Sequence, residues 1–300
     1  MRIVMTGATA GFGLDAAERL VEAGHALVVG ARNPRGLPAS LAGRVDARAL
    51  DLDRFASVRE FAASLEGRGP IDALVLNAGL QRSRPETGAE SFERTFAVNH
   101  LAHFLLLDLV QPLLAPSGRV VLTGSGTHDP EEGTPVTPPV HANAEWLAFP
   151  DRDPTAERSV RKAAFRAYSS SKLANIMTAR EAARRYPHLS VMSYDPGYVP
   201  WTGLGRANGR VLSALASMVV PLLIKKDRSS TIPRSGAFLA ALACDDRYAG
   251  CRGEYFSVRG TELKRLDPSV LARDDEACRA LWDDSARLLG MGRTGIGRGA

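Results

Sequence analysis

The sequence predicts an α/β protein built on a doubly wound parallel sheet. Short apolar runs of strand length alternate along the chain with longer segments whose apolar residues recur at helical spacing. Repeated strand, helix and strand units form a parallel sheet with helices on both faces, because the crossover connections are right-handed. In addition, the unusual glycine-rich and polar clusters follow the short runs, at the points where strands would end.

The apolar runs place six strands in the first two thirds of the chain. In order, they are Arg2 to Thr6, Ala26 to Gly30, Ala47 to Leu50, Ala73 to Leu76, Val120 to Thr123 and Leu189 to Tyr194. The segments with helical periodicity are Gly13 to Ala23, Ser57 to Leu65, Ser91 to Leu114 and Tyr168 to Tyr186. Because ligands of such sheets bind outside the carboxyl ends of the strands, we expect one continuous site there.

Length and composition favour a single domain over residues 1–300. The chain is 45% hydrophobic and contains no internal repeat or low-complexity tract. The first predicted strand begins at Arg2, which leaves no room for a signal peptide, and no apolar stretch reaches the ~20 residues needed to cross a bilayer. We therefore expect a cytoplasmic protein without an integral membrane span.

Charge, cysteines and histidines exclude other classes of function. The net charge is +5, but the basic residues are scattered instead of forming a patch, so nucleic-acid binding is not predicted. The three cysteines and six histidines lack metal-ligand spacing, so no metal is predicted. His128 lies three positions after Ser125 and could contact a substrate, although a loop histidine satisfied by the protein is the better interpretation.

The stretch TGATAGFG, directly after the first predicted strand, indicates a bound ligand. Gly7 permits a tight turn out of the strand. Gly11 and Gly13 would let the backbone and the start of the next helix approach a pyrophosphate closely. A plain strand-to-helix turn is the alternative explanation of such a loop.

Three motifs in order along the chain resemble those of the short-chain dehydrogenase/reductase family. They are Thr6-Gly7-x-x-x-Gly11-x-Gly13, Asn77-Ala78-Gly79 and Tyr168-x-x-x-Lys172. The pattern is most similar to retinol dehydrogenases, carbonyl reductases and protochlorophyllide oxidoreductases. The resemblance implies a Rossmann fold that binds a nicotinamide cofactor.

Hydride transfer to a carbonyl leaves negative charge on oxygen, so the site needs a proton donor and hydrogen-bond donors. Tyr168 is the candidate acid, and an ammonium one helical turn away at Lys172 would favour its phenolate. The resemblance also implies that Lys172 holds the nicotinamide ribose. It further implies that Ser125 polarises the substrate, with Thr123 as a possible substitute, and that Asn99 organises a water-linked proton relay.

The end of the second strand predicts NADP(H) as the cofactor. Arg32 stands there without an acidic neighbour, and an arginine would pair with the 2′-phosphate that an acid would repel. A solvated surface arginine is the alternative. The cofactor contacts that the resemblance implies are Gly7, Thr9, Ala10, Gly11, Phe12, Gly13, Arg32, Asn33, Asp51, Leu52, Asn77, Ala78, Gly79, Thr123, Tyr168, Lys172, Pro196, Gly197, Tyr198, Val199 and Thr202. Of these, Asp51 could face the adenine, cap the next helix, or do both.

Two segments depart from compact members of that family. Ser125 and Tyr168 are 43 residues apart, so we expect an insertion at about 126–160. In monomeric carbonyl reductases such an insertion covers the helix face used for oligomerisation, which favours a monomer over a dimer. The resemblance also places a substrate lid at about 200–230. The apolar run from Val211 to Ile224 within it indicates an apolar small-molecule substrate or, alternatively, peripheral contact with a membrane.

These features together predict an NADP(H)-dependent oxidoreductase that interconverts a carbonyl and an alcohol. One alternative is reduction of a carbon–carbon double bond, as in protochlorophyllide oxidoreductases, whose spacing before Thr202 this chain shares. However, Tyr198 stands where those enzymes carry a functional cysteine. A second alternative is a non-catalytic NADP(H)-sensing protein, although a sensor has no need of the residues of a proton relay.

Overall fold

The computed structural model describes residues 1–200 and 226–291 of the chain. Eight strands form one sheet: β1 Arg2–Thr6, β2 Ala26–Ala31, β3 Asp46–Ala49, β4 Ile71–Leu76, β5 Leu114–Thr123, β6 Ser190–Asp195, β7 Arg252–Arg259 and β8 Glu262–Leu266. Their order is β3-β2-β1-β4-β5-β6-β7-β8, and only β8 runs antiparallel to its neighbour. The strand order reverses beside β1, which confirms the doubly wound α/β fold.

Helices cover both faces of this sheet. They are α1 Gly11–Glu22, α2 Phe55–Ser64, α3 Arg94–Phe96, α4 Ala102–Val110, α5 Ala144–Ala148, α6 Val160–Arg185, α7 Ile232–Cys244, α8 Val270–Arg273 and α9 Asp275–Leu288. A π-helical turn, Ala97–Leu101, joins α3 to α4 without a break. The helices α1 and α7 lie on one face of the sheet, whereas α2, α4, α6 and α9 lie on the other.

The first strand shows why the runs are apolar throughout. Ile3 and Met5 pack in the core beneath α1 and α7, while Val4 between them packs in the opposite core with α2 and α4. Successive side chains of a strand point to opposite faces, so a strand buried on both faces needs apolar residues at every position.

The six predicted strands are present, β1 with its predicted ends and the others with shifted ends, and two elements begin much earlier than expected. β5 begins at Leu114 instead of Val120, and α6 begins at Val160 instead of Tyr168. The first turn of α6 is exposed and therefore carries no apolar stripe. The elements that the sequence analysis missed are β7, β8 and the helices α5, α7, α8 and α9.

The expectation about apolar stretches needs one correction. The continuous helix Arg94–Leu113 has 20 residues and an 18-residue window of mean hydropathy 1.2, so its length and composition would allow it to cross a membrane. However, 72% of that window is buried inside the protein. Its hydropathy is explained by its position against the sheet, as expected for a core helix.

Candidate active site

A cleft of about 430 Å³ lies at the carboxyl ends of β1, β2, β4 and β5. The predicted cofactor residues that line it are Gly7, Thr9, Ala10, Gly11, Phe12, Gly13, Arg32, Asp51, Leu52, Asn77, Ala78, Gly79, Thr123, Tyr168, Lys172 and Pro196. Those outside its lining are Asn33, Gly197, Tyr198 and Val199. Thr202 and the segment from Val211 to Ile224 lie outside the described residues, as does most of the predicted lid.

The cleft also has lining residues that sequence reasoning missed. They are Thr6, Gly30, Ala31, Leu50, Asp53, Leu80, Gln81, Arg82, Arg94, Val98 and Gly124. Arg94 is held by ion pairs with Asp53 at 2.9 Å and with Glu86 at 3.0 Å. Most of this set directly adjoins a recognised motif, whereas nothing in the local sequence marks Arg94 as a lining residue.

The glycine loop is required by contacts within the protein. Gly7 has a φ of +73°, and a Cβ atom added to it would lie 2.7 Å from the backbone of Ala78. A Cβ atom on Gly13 would lie 2.1 Å from the Gly7 carbonyl oxygen and 2.5 Å from Asn77 Nδ2. The loop therefore packs tightly on the end of β4, which explains these two glycines without a ligand.

The start of α1 offers unused backbone donors to the cleft. Its N-cap residue Ala10 makes no side-chain capping hydrogen bond, and its first turn contains no acidic residue. The first N–H groups of a helix lack partners within the helix, and together with the helix dipole they favour an anion. This end of the cleft is suited to a phosphate group.

The side chain of Asn77 ties the glycine loop to β5. Its Nδ2 donates to the Gly7 carbonyl at 3.1 Å, and its Oδ1 accepts from Thr123 Oγ1 at 3.0 Å. The Thr123 hydroxyl is therefore occupied inside the protein. This favours Ser125 over Thr123 as the hydroxyl that would polarise a substrate.

Tyr168 and Lys172 lie one turn apart on α6, and both side chains are buried. Lys172 Nζ lies 5.8 Å from the centre of the Tyr168 ring and donates to the Thr123 carbonyl at 3.1 Å. That carbonyl is its only hydrogen-bond acceptor within residues 1–200 and 226–291. Since an ammonium has three N–H groups, two remain for a ligand.

Burial shifts the pKa values of this pair in opposite directions, because it disfavours the charged form of each group. It raises the pKa of Tyr168 to about 12, while a hydrogen bond with the Ser125 side chain acts in the other direction. It lowers the pKa of Lys172 to about 8, against the attraction of the Asp195 carboxylate. The phenol of Tyr168 therefore keeps its proton at neutral pH.

Ser125 lies just beyond the lining of the cleft, after Gly124. Its Oγ accepts from the backbone N–H of Thr127 at 3.3 Å and from Thr127 Oγ1 at 3.1 Å. These bonds occupy the two acceptor positions of the hydroxyl, so Ser125 can bond to the Tyr168 side chain only as a donor. His128 is buried, and its ring nitrogens bond to the Ser125 carbonyl and the Ser269 N–H, so it is a loop histidine satisfied by the protein.

Asn99 lies in the π-helical turn and outside the lining of the cleft. Its side chain accepts from the Leu80 N–H at 2.8 Å and donates to the Leu80 carbonyl at 2.9 Å. It also donates to Ser171 Oγ at 3.0 Å, one residue before Lys172. This amide fixes the wall after Gly79 relative to α6, and its predicted role in a proton relay stays a prediction.

The other end of the cleft is exposed to solvent. Arg32 is exposed and forms no ion pair in the part of the chain that the structure describes. Asp51 Oδ1 accepts from the Asp53 N–H at 3.1 Å, which makes a turn before α2. The start of α2 is capped instead by Glu90, which accepts from the Phe55 N–H at 2.7 Å. Asp51 is therefore not the cap of that helix.

Comparisons with known proteins support an oxidoreductase site. The profile of the family described as short chain dehydrogenase matches residues 1–135. Human retinol dehydrogenase 13 is 32% identical over 96% of this chain and 84% of its own. DnrU of Streptomyces sp. (strain C5), named as a daunorubicin C-13 ketoreductase, is 34% identical over 96% of this chain and 92% of its own. Protochlorophyllide reductase A of Oryza sativa subsp. japonica is 31% identical over 96% of this chain and 80% of its own.

A solved structure agrees over nearly the whole length. An uncharacterized protein from Mycobacterium paratuberculosis has a TM-score of 0.70 and 26% identity, with 96% of this chain and 93% of that chain covered. Fold and cleft together define a Rossmann-fold oxidoreductase. The chain belongs to the short-chain dehydrogenase/reductase family, whose members use a nicotinamide cofactor.

Proposed function

We propose that this protein is an NADP(H)-dependent oxidoreductase that interconverts a carbonyl and an alcohol on an apolar small molecule, with Tyr168 as the acid and base. One observation carries the proposal. Tyr168 and Lys172 lie buried on one helix and line the same cleft as the uncapped start of α1 and the exposed Arg32. That arrangement brings a proton donor, an ammonium and an anion site to a single ligand.

The residues of the cleft fit NADPH at three places. The unused N–H groups at the start of α1 would hold the pyrophosphate. The two N–H groups of Lys172 that have no acceptor among the described residues would hold the hydroxyls of the nicotinamide ribose. Arg32, which has no acidic partner among the described residues, would pair with the 2′-phosphate. Bound NADPH would supply the hydride.

Tyr168 would then donate the proton to the substrate oxygen. Because its pKa lies at about 12, the side chain is a phenol at neutral pH and is ready to donate. Thr127 fills both acceptor positions of the Ser125 hydroxyl, so Ser125 would donate its hydrogen to the same oxygen as charge develops there. Hydride and proton together convert the carbonyl to an alcohol, and the reverse reaction returns the proton to the Tyr168 phenolate.

The relatives support this class of reaction. The names of retinol dehydrogenase 13 and of DnrU denote oxidation of an alcohol and reduction of a ketone. Protochlorophyllide reductase A supports the second candidate, reduction of a carbon–carbon double bond. In this chain Tyr198 lies outside the lining of the cleft, with its N–H bonded to the Arg228 carbonyl at 2.8 Å. We therefore place carbonyl reduction first.

We further propose a monomer. Trp282 of α9 is buried and its ring lies 4.7 Å from that of Phe104 on α4. The hydroxyl of Ser285, also on α9, bonds to His100 Nε2 at 2.9 Å. Helix α9 thus covers the outer side of α4 and part of α6, so that side offers little apolar surface to a second copy. One domain over residues 1–300 and a cytoplasmic location stay predictions.

Consumption of NADPH by the purified protein with aldehydes, ketones, quinones and conjugated enones tests the proposal. We expect turnover of aldehydes and ketones to alcohols and of quinones to hydroquinones, whereas a saturated ketone from the enone would favour the second candidate. Tyr168→Phe should lower turnover by roughly 10²–10⁴-fold while NADPH still binds, because only the proton donor is lost. Tyr186→Phe, directly after the same helix and outside the cleft, should remain active. Full activity of Tyr168→Phe would refute the mechanism.

A further inference from the structure

His103 on α4 is a fully buried side chain that the proposed chemistry does not use. Its Nε2 lies 3.0 Å from Thr6 Oγ1, at the start of the glycine loop. Its Nδ1 lies 3.0 Å from the carbonyl oxygen of Asn99, in the π-helical turn. One imidazole therefore connects the end of β1 to the π-helical turn, two segments that are far apart in sequence.

The Thr6 hydroxyl determines which nitrogen of His103 carries hydrogen. The backbone N–H groups of Asn77 and Ala78 both donate to Thr6 Oγ1 at 3.0 Å. A hydroxyl has two acceptor positions and one hydrogen, so the hydrogen of Thr6 is left to donate to His103 Nε2. A neutral imidazole that accepts at Nε2 is protonated at Nδ1, which then donates to the Asn99 carbonyl.

The surroundings keep the ring neutral. Burial lowers the pKa of His103 to about 4, and the positive charge of Lys172 acts in the same direction. At neutral pH the ring has one N–H hydrogen, and both of its nitrogens have a partner. Protonation would place a hydrogen on Nε2 and break the bond from Thr6.

This hydrogen-bonded set connects the glycine loop to the end of β4 and, through Asn99, to α6. Gly7 follows Thr6, and an added Cβ atom there would already lie 2.7 Å from Ala78. Asn99, at the other end of the set, holds Leu80 and the Ser171 hydroxyl next to Lys172. A displacement of Thr6 relative to Asn99 would therefore shift the glycine loop against both β4 and α6.

We propose that His103 is a positioning residue for cofactor binding, because as the Nδ1–H tautomer it locks Thr6 to Asn99 and holds the glycine loop against the end of β4. The inference rests on the proposed function, since it names a residue that prepares the site for NADPH. His103 does not line the cleft, so its effect acts through Thr6 and Asn99.

Nitrogen-15 NMR of the histidine side chains of the wild-type protein tests the tautomer directly. We expect His103 to show a protonated Nδ1 and an acceptor Nε2 at neutral pH, with no titration near the ordinary histidine pKa of about 6.5. A protonated Nε2, or titration near that value, would overturn the proposal. This result does not depend on catalysis, so it stays informative if Tyr168→Phe contradicts the proposed reaction.

Titrations of variants with NADPH test whether His103 contributes to cofactor binding. His103→Leu should raise the Kd for NADPH by roughly tenfold, about the effect of one lost buried hydrogen bond, with kcat at saturating NADPH much less affected. His103→Gln can still accept from the Thr6 hydroxyl and should recover part of the affinity. His100→Leu is the matched control, because His100 is also buried but its ring bonds to Ser285 on α9 and Asn175 on α6, and not to Thr6.

The His100→Leu control separates positioning from stability. It should lower the melting temperature without changing the Kd for NADPH. An unchanged Kd in His103→Leu, or an equal loss of affinity in His100→Leu, would overturn the proposal. If His103→Leu does not fold, Thr6→Val against Thr6→Ser decides, because serine keeps the hydroxyl and should bind NADPH more tightly than valine. Equal affinity of those two variants would also overturn it.

Discussion

The two ends of the cleft each present a cationic side chain, in opposite surroundings. At one end Arg32 is exposed, and the Asp51 side chain is 40% exposed. At the other end Tyr168 and Lys172 are 8% and 3% exposed. Two unit charges 4 Å apart interact by about 1 kcal/mol in water but by about 4 kcal/mol at the effective dielectric of a protein site. Loss of one charge should therefore change the interaction energy with a ligand more at the buried end than at the exposed end.

The backbone that carries the cation also differs between the two ends of the cleft. Arg32 extends from a short connection after β2, while Lys172 lies in the middle of the long helix α6. The hydrogen bond from Asn99 to Ser171 holds that helix directly beside Lys172. The exposed end is thus suited to discriminate between cofactors through a screened charge, and the buried end is suited to chemistry that needs a fixed geometry.

Substitution at the buried end should have the larger effect. Lys172→Met removes the only ammonium next to Tyr168 among the described residues, together with the donors expected for the nicotinamide ribose. We expect kcat/KM for carbonyl reduction to fall by about 10²–10⁴-fold, the usual range for loss of an acid–base group. Steady-state kinetics with NADPH and the best substrate would measure it.

The matched control for that substitution is Lys162→Met. Lys162 is an exposed lysine on the same helix, outside the cleft, and its loss should leave kcat/KM near the wild-type value. A Lys172→Met variant as active as Lys162→Met would show that the buried ammonium has no role in the reaction.

How much of the molecule could be predicted depends on whether a feature has a local signal in the sequence. Six strands and the cleft motifs carry local signals, because strands buried on both faces are apolar throughout and the glycine loop has a distinctive spacing. β7 and β8 were missed because RGEYFSVR and ELKRL interrupt their apolar residues with charged ones. α9 was missed because its buried face is defined only by the helices that pack against it.

Within the site, contacts between residues that lie far apart in sequence could not be predicted. Thr6 and His103 are 97 positions apart, and neither residue alone indicates the other. The ion pair of Arg94 with Asp53 likewise depends on how α3 packs beside the cleft. A single sequence shows which chemical groups are available, but their hydrogen-bond partners follow from packing that only three-dimensional structure shows.

Substitution at the exposed end should change cofactor preference more than catalysis. Arg32→Ala should weaken NADPH binding by roughly 10–50-fold, because the lower half of the ~1.5–3 kcal/mol range for hydrogen bonds to charged groups is expected at an exposed site. NADH binding should stay nearly constant, because NADH lacks the 2′-phosphate. Fluorescence titrations with both cofactors would give the ratio.

The control for Arg32 is Arg35→Ala, a neighbouring exposed arginine outside the lining of the cleft. The loss in Arg32→Ala should shrink at high salt, since the interaction is screened. Unchanged NADPH affinity in Arg32→Ala, or a wild-type preference for NADH, would contradict the assignment of NADP(H).

The smallest expected effect is the pH dependence of NADPH affinity, which also distinguishes the buried end of the cleft from the exposed end. Lys172 has a pKa of about 8, so its ammonium fraction falls as the pH rises through that value, while Arg32 stays charged. NADPH affinity should therefore fall by at most about tenfold between about pH 7 and 9, because binding favours the protonated lysine. Titrations at constant ionic strength would measure this slope. The slope should vanish in Lys172→Met and persist in Arg32→Ala. A slope that instead disappears in Arg32→Ala would place the titrating group at the exposed end of the cleft and contradict this prediction.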